Sequence, residues 1–488
     1  MDALRGMGVN ARRHAMKFSI QDIPGITGGD LLVAPLDARA QICGLSWDSR
    51  SIEPGWAYVA IVGERVDGND YAVSAMDSGA AAVLMSRAPR EDEVARAKET
   101  GAAIVAVRDG EEAVIALARA WRETLGATVV GITGSVGKTT TKGLVRQVLS
   151  ARYRTHATKG NYNNQLGAPY TVLTTPEDCE MLVVEMGMDH AGEIARICKT
   201  ARPDMGVITN VGVSHLEYLG TRENIARAKA ELIEALPQGG TAFLQAQGEF
   251  TDFIRAHART EERGIAVTLF GGQDPRADVY ATDVELDEES HPRFTLHAKG
   301  ASVRLTLGLR GVHNVDNACA AAAVGLACGM GLDEVASALE GAEAEAGRAQ
   351  LKRTACGALV FDDAYNASPA SMKASLEMLA AYRASGKKIA VLGDMGELGQ
   401  ASDAGHYDTG RAVALAGVDL LVCVGELAAR IAQGARDGGM AADRVVSVPD
   451  ASAAVEAVAP ALSEGDIVLV KASHFMGLDR VVEGIVGA

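Results

Sequence analysis

The chain has 488 residues, of which 48% are hydrophobic and 23% are charged, and these ordinary globular values exclude a disordered protein. At about 150 residues per domain, the length predicts three domains. The formal net charge of −16 argues against unspecific binding to nucleic acid or to an anionic membrane, because both favour a basic surface. An anionic small ligand is compatible with this charge, since a few placed amides and cations can bind a phosphate.

The N-terminus and the cysteines predict an intracellular protein. Residues 1–19 are basic, but no apolar run follows them, so we expect no secretory signal. The uncharged stretch 317–332 is shorter than the roughly 20 residues of a membrane span, which predicts no membrane insertion. The seven cysteines are scattered, odd in number and without a C-x-x-C pair, as is typical of reduced thiols. We therefore expect a cytoplasmic location.

The chain order of elements predicts three α/β domains. Residues 1–126 mix short strand-like runs with helical stretches, which predicts a small mixed domain. In residues 127–343, apolar runs such as ATVVGIT, MLVVEM and MGVITN alternate with helices, one of them from Lys138 to Ser150, which predicts a central domain with a mainly parallel sheet. An antiparallel pattern with a Lys299-Gly300 turn follows. Residues 344–488 alternate again and predict a Rossmann-like domain.

The sharpest motif is the glycine-rich turn at 131–140, GITGSVGKTT, between the first central strand and its helix. Glycines let backbone N–H groups point at phosphate oxygens, Lys138 supplies a mobile cation, and the hydroxyl of Thr139 can bind Mg²⁺. The spacing departs from the standard G-x-x-x-x-G-K-[ST], because Ile132 stands five positions before Gly137. The strand–turn–helix context still favours a nucleotide-binding loop over an ordinary turn with a solvated lysine.

Two ionisable residues stand at predicted strand ends. Glu185 ends the run MLVVE, and His215 lies just past MGVITN. Open parallel sheets bind ligands at the carboxyl ends of their strands, and a carboxylate there suits Mg²⁺, directly or through water. The pattern alone equally allows an exposed acid and a hydrogen-bonded loop histidine.

A lysine lies on the apolar face of a predicted helix. The segment 221–236 has Thr221 as its N-cap, and Lys229 falls in the middle of a stripe formed by Ile225, Leu232, Ile233 and Leu236. Burial would lower the pKa of this amine, and a neutral amine can react with CO₂ to give a carbamate that can hold Mg²⁺. By itself the pattern favours the common alternative of a lysine whose amine reaches solvent.

Motifs along nearly the whole chain resemble the Mur ligases of peptidoglycan synthesis. The N-terminal part has WDSRSIEPGWAYVAIVGERVDGNDY, similar to the family's UDP-substrate domain. The centre has GITGSVGKTTTK, KGNYNNQLGAPYTVL, EMGMDHAGEI, ITNVGVSHLEYLG and GVHNVDNACAAAA, and the C-terminal part has DDAYNASPASM and VLGDMGELG. The strings NYNNQLGAP, EMGMDHAGEI, DDAYNASP and LGDMGELG are typical of the member that adds a dipeptide.

The resemblance implies an ATP-dependent amide ligation. The terminal carboxylate of a UDP-N-acetylmuramoyl-tripeptide would attack the γ-phosphate of ATP, and the amine of D-alanyl-D-alanine would then attack the acyl phosphate. It also implies that the third domain closes over the central one to exclude water. We expect a monomeric enzyme with ATP and two Mg²⁺ ions as cofactors.

The resemblance also implies roles for individual residues. It assigns Lys138 to the β- and γ-phosphates, Thr139 and Glu185 to one Mg²⁺, and His215 with a carbamylated Lys229 to the other. Arg348 and Asp363 would approach the γ-phosphate and the ribose. The remaining ATP contacts would come from Gly134, Ser135, Val136, Gly137, Thr140 and, at the adenine, Asn317. The uridine diphosphate end would contact Ser49 and Arg50, and the peptide channel would be lined by Asn163, Asn164, Tyr365 and Asn366.

One string departs from the family. Where the family often has K-G-S-R, this chain has Lys471-Ala472-Ser473-His474, so the substrate contact of that arginine is open. Three rival functions are a related ligase, such as a folylpolyglutamate synthase, a P-loop switch or kinase without ligation, and a non-catalytic binding module. The DSR-type N-terminal part argues against the folate branch, and the set Lys138, Glu185, His215 and Lys229 argues against a binding module.

Overall fold

The computed structural model describes residues 16–487, so most of the basic N-terminal segment 1–19 lies outside the described residues. Within that range, no helix is both long enough and apolar enough to cross a membrane.

The strands of the described range are β1 (Phe18–Ser19), β2 (Asp30–Val33), β3 (Gln41–Ile42), β4 (Leu45–Ser46), β5 (Ala57–Val59), β6 (Ala82–Met85), β7 (Ala103–Ala106), β8 (Thr128–Thr133), β9 (Thr155–Ala157), β10 (Met181–Glu185), β11 (Met205–Ile208), β12 (Thr241–Gln245), β13 (Ala266–Gly271), β14 (Val279–Leu286), β15 (Pro292–Ala298), β16 (Ala301–Thr306), β17 (Gln350–Arg353), β18 (Leu359–Asp362), β19 (Lys388–Gly393), β20 (Leu420–Val424), β21 (Val445–Val448) and β22 (Ile467–Lys471).

The helices are α1 (Ile23–Thr27), α2 (Ala72–Asp77), α3 (Glu91–Thr100), α4 (Gly110–Thr124), α5 (Lys138–Ser150), α6 (Gly167–Leu173), α7 (Glu193–Ala201), α8 (Leu216–Leu219), α9 (Arg222–Glu234), α10 (Thr251–His257), α11 (Asn314–Ala327), α12 (Leu332–Glu340), α13 (Pro369–Ala381), α14 (Ser402–Leu415), α15 (Ala428–Asp437), α16 (Ala451–Val458) and α17 (Asp479–Val486). The predicted helix 138–150 is confirmed in its bounds, and Thr221 caps α9 by accepting a hydrogen bond from the backbone of Asn224.

The described residues form two compact units. Unit 1 contains the chain up to Gly131 together with 153–187 and 193–204, and unit 2 contains 132–152, 188–192 and the chain from 205 onward. Each unit is described by itself.

Unit 1 contains a five-stranded mixed sheet in the order β2-β7-β6-β5-β4. Strands β4 to β7 run parallel, and β2 pairs with β7 in the antiparallel sense. Buried side chains such as Tyr58, Met76, Val83 and Ile104 form the core on one face. The predicted small mixed α/β region is therefore confirmed. Unit 1 also holds the parallel pair β9–β10, whose last residue is Glu185.

The first sheet region of unit 2 runs from β11 through β14 in the parallel sense and ends in the antiparallel strands β15 and β16. Lys299 and Gly300 link these two strands with φ angles of 51° and 79°, which two-residue hairpin turns with the right twist require. The prediction of parallel strands followed by an antiparallel hairpin is thus confirmed.

The second sheet of unit 2 has the order β17-β18-β22-β19-β20-β21, in which only the edge strand β17 is antiparallel. One apolar core includes residues of α13, α14 and α15, and a separate one includes residues of α16 and α17. Helices therefore cover both faces, as expected for a doubly wound, Rossmann-like sheet.

Candidate active site

The phosphate loop owes its shape to two glycines in crowded positions. A Cβ on Gly134 would lie 1.8 Å from the hydroxyl oxygen of Thr209, and one on Gly137 would lie 2.6 Å from Oδ1 of Asn317. Gly137 also has a left-handed φ of 82° and caps α5, which begins at Lys138. A side chain at either position would push neighbouring groups out of the loop.

Residues after β11 fix the rest of the loop. Asn210 accepts a hydrogen bond from the Val136 N–H at 3.0 Å and donates to the Val136 carbonyl at 2.9 Å. The hydroxyl of Ser135 accepts from the Gly212 N–H at 2.8 Å. Sequence reasoning missed Thr209 and Asn210, although their position directly after a buried strand is a usable signal.

Lys138 folds back over its own loop. Its ammonium donates to the carbonyls of Gly134 at 2.9 Å and Ser135 at 3.5 Å, and the residue is half-buried. Such carbonyl contacts hold the cation where a phosphate could replace them. Asn317 is buried, accepts a hydrogen bond from Thr141 at 3.1 Å and donates to Asn314 at 2.8 Å, so its amide braces the loop.

A cavity of about 710 Å³ lies beside this loop within unit 2. Its walls contain six of the predicted ATP-binding residues, namely Val136, Gly137, Thr140, Asn317, Arg348 and Asp363.

Arg348 reaches the phosphate loop across this cavity. Its guanidinium donates to the Thr139 hydroxyl at 3.2 Å and lies 4.1 Å above the ring of Tyr365. Its Nε is buried and has no hydrogen-bond partner among residues 16–487. This donor is therefore available to an anionic ligand in the cavity.

A second cation lies in the cavity wall. Lys471 is fully buried and donates to Asp363 at 2.7 Å and to the carbonyl of Asn366 at 2.9 Å. Burial lowers the pKa of Lys471, against the opposing effect of Asp363. The ring of His474, which stands where the family often has arginine, packs at 5.4 Å against Tyr365.

His215 lies between two carboxylates in unit 2. Its Nδ1 is 3.0 Å from Asp189 and 2.8 Å from Glu397. Burial opposes its charged form, but the two adjacent carboxylates outweigh this effect and raise the pKa of His215. The three ligand atoms lie within 4.8 Å of one another and could hold a metal ion. His215 and Glu397 both have left-handed φ angles, 63° and 61°, a strain typical of functional sites.

Lys229 is buried on α9, with 1% of its surface exposed, unlike a lysine that extends along the surface into solvent. Burial, with a smaller effect from the charge of Lys138, lowers its pKa well below the usual value. No hydrogen bond or ion pair holds this amine within the described range. The neutral amine needed for a carbamate is therefore favoured here.

The other predicted residues lie in unit 1. Glu185 is buried and accepts a hydrogen bond from the Asn163 amide at 2.8 Å. Asn164 accepts from the Gly167 N–H at 2.8 Å and so shapes the start of α6. Ser49 is buried, whereas Arg50 is exposed and pairs with Asp48 at 2.8 Å.

An aromatic cluster joins these two predicted substrate regions of unit 1. Trp47, directly before Asp48, packs against Tyr162 at 6.4 Å and Tyr170 at 5.1 Å. The motifs WDSR and NYNN are therefore neighbours in the fold.

Comparisons with known proteins show which family the chain resembles. Three family models match: the Mur ligase family catalytic domain at 41–122, the Mur ligase middle domain at 132–325, and the Mur ligase glutamate ligase domain at 347–474. UDP-N-acetylmuramoyl-tripeptide–D-alanyl-D-alanine ligases of Bacillus subtilis and Mycobacterium tuberculosis are 36% and 38% identical. Each alignment covers 96% of this chain, with 99% and 98% of the relative.

Solved structures give the same result. The MurF crystal structure from Acinetobacter baumannii has a TM-score of 0.83 at 31% identity, covering 97% of this chain and 99% of that chain. MurF ligase from Thermotoga maritima in complex with ADP has a TM-score of 0.75 at 29% identity, covering 90% and 96%. The chain belongs to the Mur ligase family. Its predicted fold, three α/β domains with mainly parallel central and C-terminal sheets, is confirmed.

Proposed function

We propose that this chain is the ATP-dependent ligase that joins D-alanyl-D-alanine to a UDP-N-acetylmuramoyl-tripeptide and yields the UDP-muramyl-pentapeptide precursor of peptidoglycan. The main support for this proposal is the match, over nearly the full length of the chain, to relatives named UDP-N-acetylmuramoyl-tripeptide–D-alanyl-D-alanine ligase. The cavity beside the phosphate loop, with Arg348 and Lys471 in its wall, supports the nucleotide part of the proposal.

The chain's own residues account for the phosphoryl step by positioning and charge. Lys138 leaves its loop carbonyls and follows the β- and γ-phosphates, while Arg348 offers its buried Nε to the transferring group. The tripeptide carboxylate attacks the γ-phosphorus, ADP leaves, and an acyl phosphate forms. The amine of D-alanyl-D-alanine then attacks the acyl carbon, loses a proton, and expels inorganic phosphate. Dry, fixed walls favour this sequence over hydrolysis.

The metal ligands are proposed on their chemistry. Thr139 and Glu185 offer the oxygen atoms that Mg²⁺ prefers, and we assign them to one ion. His215 and a carbamylated Lys229 are assigned to the other, and the buried, unpartnered amine of Lys229 fits that modification. Bound Mg²⁺ would supply charge neutralisation at the phosphates.

The substrate side is proposed on the same grounds. Ser49 and Arg50 take the uridine diphosphate end, and the peptide channel is lined by Asn163, Asn164, Tyr365 and Asn366. The neighbouring positions of the WDSR and NYNN motifs support one continuous substrate site. The contact of Asn317 with adenine and that of Asp363 with ribose belong to the same proposal.

We also propose the domain boundaries 1–126, 127–343 and 344–488, a monomer, and a cytoplasmic location. Each family-model match falls within one of these three ranges, which supports the boundaries. All seven cysteines are free thiols, in keeping with a reducing compartment.

The experiment that tests the function is acceptor dependence. Phosphate release from ATP is measured with a UDP-muramyl-tripeptide carrying either diaminopimelate or lysine, with and without D-alanyl-D-alanine. Rapid release is expected only when both substrates are present. Release that is equally fast without them would leave a switch or kinase as the better function.

Lys138→Ala should abolish this release, with kcat lowered by about 10³-fold or more, because the loop's mobile cation at the γ-phosphate is lost. Its stability should change little, since Lys138 is half-buried and its ammonium donates to part-buried loop carbonyls. Appreciable retained turnover would contradict the phosphate-loop assignment.

A further inference from the structure

The segment that leads from α12 into β17 meets the phosphate-loop helix at Lys142. Lys142 lies one helical turn after Lys138 on α5, and its side chain is only 2% exposed. Its ammonium lies 2.7 Å from each carboxylate oxygen of Glu345. A Cβ on the neighbouring Gly143 would lie 3.1 Å from Oε1 of Glu345, so the carboxylate lies directly against the helix.

Glu345 begins a short turn, the linker turn (residues 345–348), that ends at Arg348. The Arg348 N–H donates to the Glu345 carbonyl at 3.0 Å, and Gly347 supplies a left-handed φ of 70°. From the end of this turn, the Arg348 guanidinium returns to α5 and donates to Thr139 at 3.2 Å. The linker turn is therefore held to one face of α5 at two points, three residues apart on the helix.

An ion pair with one buried partner, here Lys142, and one partly exposed partner, here Glu345, fixes geometry more than it adds stability, because desolvation offsets part of the attraction. Here the pair fixes the origin of the turn that carries Arg348. An arginine on an unfixed loop would sample many positions, and a displacement of about 1 Å at a reacting group lowers rates severely.

We propose that Lys142 and Glu345 are positioning residues, which hold the linker turn on α5 so that Arg348 stays at the phosphate loop. The inference rests on the proposed function, since it takes Arg348 to act on the phosphates. Glu345 lies in the wall of the cavity beside the phosphate loop, whereas Lys142 does not line that cavity.

The test is a double-mutant cycle with Lys142→Met, Glu345→Gln and Arg348→Ala in the acceptor-dependent assay. Lys142→Met and Glu345→Gln should each lower kcat on the order of tenfold to 100-fold, with the KM for the UDP-tripeptide within about twofold of wild type. In the Arg348→Ala background, neither substitution should lower kcat further, because both act through Arg348. Multiplying losses in that background would overturn the proposal.

Arg152→Met is the matched control. Arg152 follows α5 and pairs with Glu334 of α12 at 2.5 Å, far along the helix from the loop. Its removal should leave kcat within about twofold of wild type. Glu345→Gln keeps Lys142 in place, so it carries the test if Lys142→Met does not fold.

A second readout separates this proposal from the proposed function. Glu345→Gln should bind a non-hydrolysable ATP analogue more weakly than wild type. The double variant Glu345→Gln/Arg348→Ala should bind the analogue as well as Arg348→Ala does. If phosphate release by the wild type does not depend on either substrate, the proposed function is wrong. The binding measurements would still test the positioning role of Lys142 and Glu345. Equal analogue affinity in Glu345→Gln and wild type, together with unchanged kcat, would overturn the positioning role.

Discussion

Lys142 on α5 and Lys229 on α9 are equally buried, but their surroundings are opposite. Lys142 has both oxygens of a carboxylate at 2.7 Å, whereas no carboxylate within residues 16–487 pairs with Lys229. An ammonium that is paired with a carboxylate fixes the structure around it. An unpaired buried amine tends to lose its proton and becomes reactive. The same residue type at the same degree of burial therefore has opposite surroundings in unit 2, and this difference supports the two roles proposed for these lysines.

The largest effect that tests the difference between the two lysines is expected from the removal of Lys229. Lys229→Ala should lower kcat by about 10³-fold, because the proposed carbamate ligand of the second Mg²⁺ is lost. Formate, acetate or propionate should restore at least part of the activity by occupying the vacated space as a carboxylate. The measurement is kcat against acid concentration.

Lys142→Met is the control for this rescue, since its lysine is proposed to act as a cation. None of the three acids should raise its activity. Full activity of Lys229→Ala without additive, or equal rescue of Lys142→Met, would end the distinction between the two lysines.

Thermal or denaturant unfolding tests the comparison, because replacing a paired lysine and replacing an unpaired lysine should change the free energy of unfolding differently. Lys471→Met leaves Asp363, which is 7% exposed, without its cation, and should lower the free energy of unfolding by about 4 kcal/mol. Lys229→Met removes an uncompensated buried amine, so in metal-free buffer depleted of CO₂ it should not lower stability. If Lys471→Met and Lys229→Met were both destabilised, the expected difference between a paired and an unpaired buried lysine would be contradicted.

Lys373→Met provides the baseline for these values. Lys373 is 71% exposed and lies 3.9 Å from Glu377 on α13. Its removal should change the free energy of unfolding by less than about 0.5 kcal/mol.

Local patterns predicted most of the fold and the position of Lys229. Helix α5 and the buried face of α9 follow from turn chemistry and a 3.6-residue period, which act within a few residues. Strand β17, QLKR, is a charged edge strand without an apolar run, so no local pattern predicts it. The phosphate loop was likewise predicted from its glycines and the strand before it, whereas its neighbours Thr209 and Asn210 were not.

Contacts between distant parts of the chain could not be predicted. His215 meets Glu397, Thr139 meets Arg348 and Lys142 meets Glu345, and each pair is separated by more than 180 residues. Each of these contacts depends on how whole helices and strands pack, and no residue spacing in a single sequence predicts that packing. For the same reason, the brace between Asn317 and Thr141 was absent from the predicted role of Asn317.

Glu93, a buried acid in unit 1, extends the comparison of buried lysines to a negatively charged side chain. The side chain of Glu93 is fully buried and accepts hydrogen bonds from Arg87 at 2.7 Å and Arg90 at 2.9 Å. Burial alone would raise its pKa, but these bonds outweigh it and lower the pKa from 4.5 to about 2. If a paired buried charge stabilises its surroundings, Glu93→Gln should lower the free energy of unfolding at pH 7 by about 2 to 3 kcal/mol.

The pH dependence of the same variant gives the sign of the effect. Because the folded pKa lies below the unfolded one, the stabilisation by Glu93 is complete above pH 4.5 and is lost as the pH falls towards about 2. Wild type and Glu93→Gln should therefore converge in stability over that interval, as measured by urea unfolding at fixed pH values. Glu99→Gln, which removes an exposed partner of Arg96, should run parallel to wild type throughout. A constant difference between Glu93→Gln and wild type down to pH 2 would mean that packing, and not the paired charge, explains the loss.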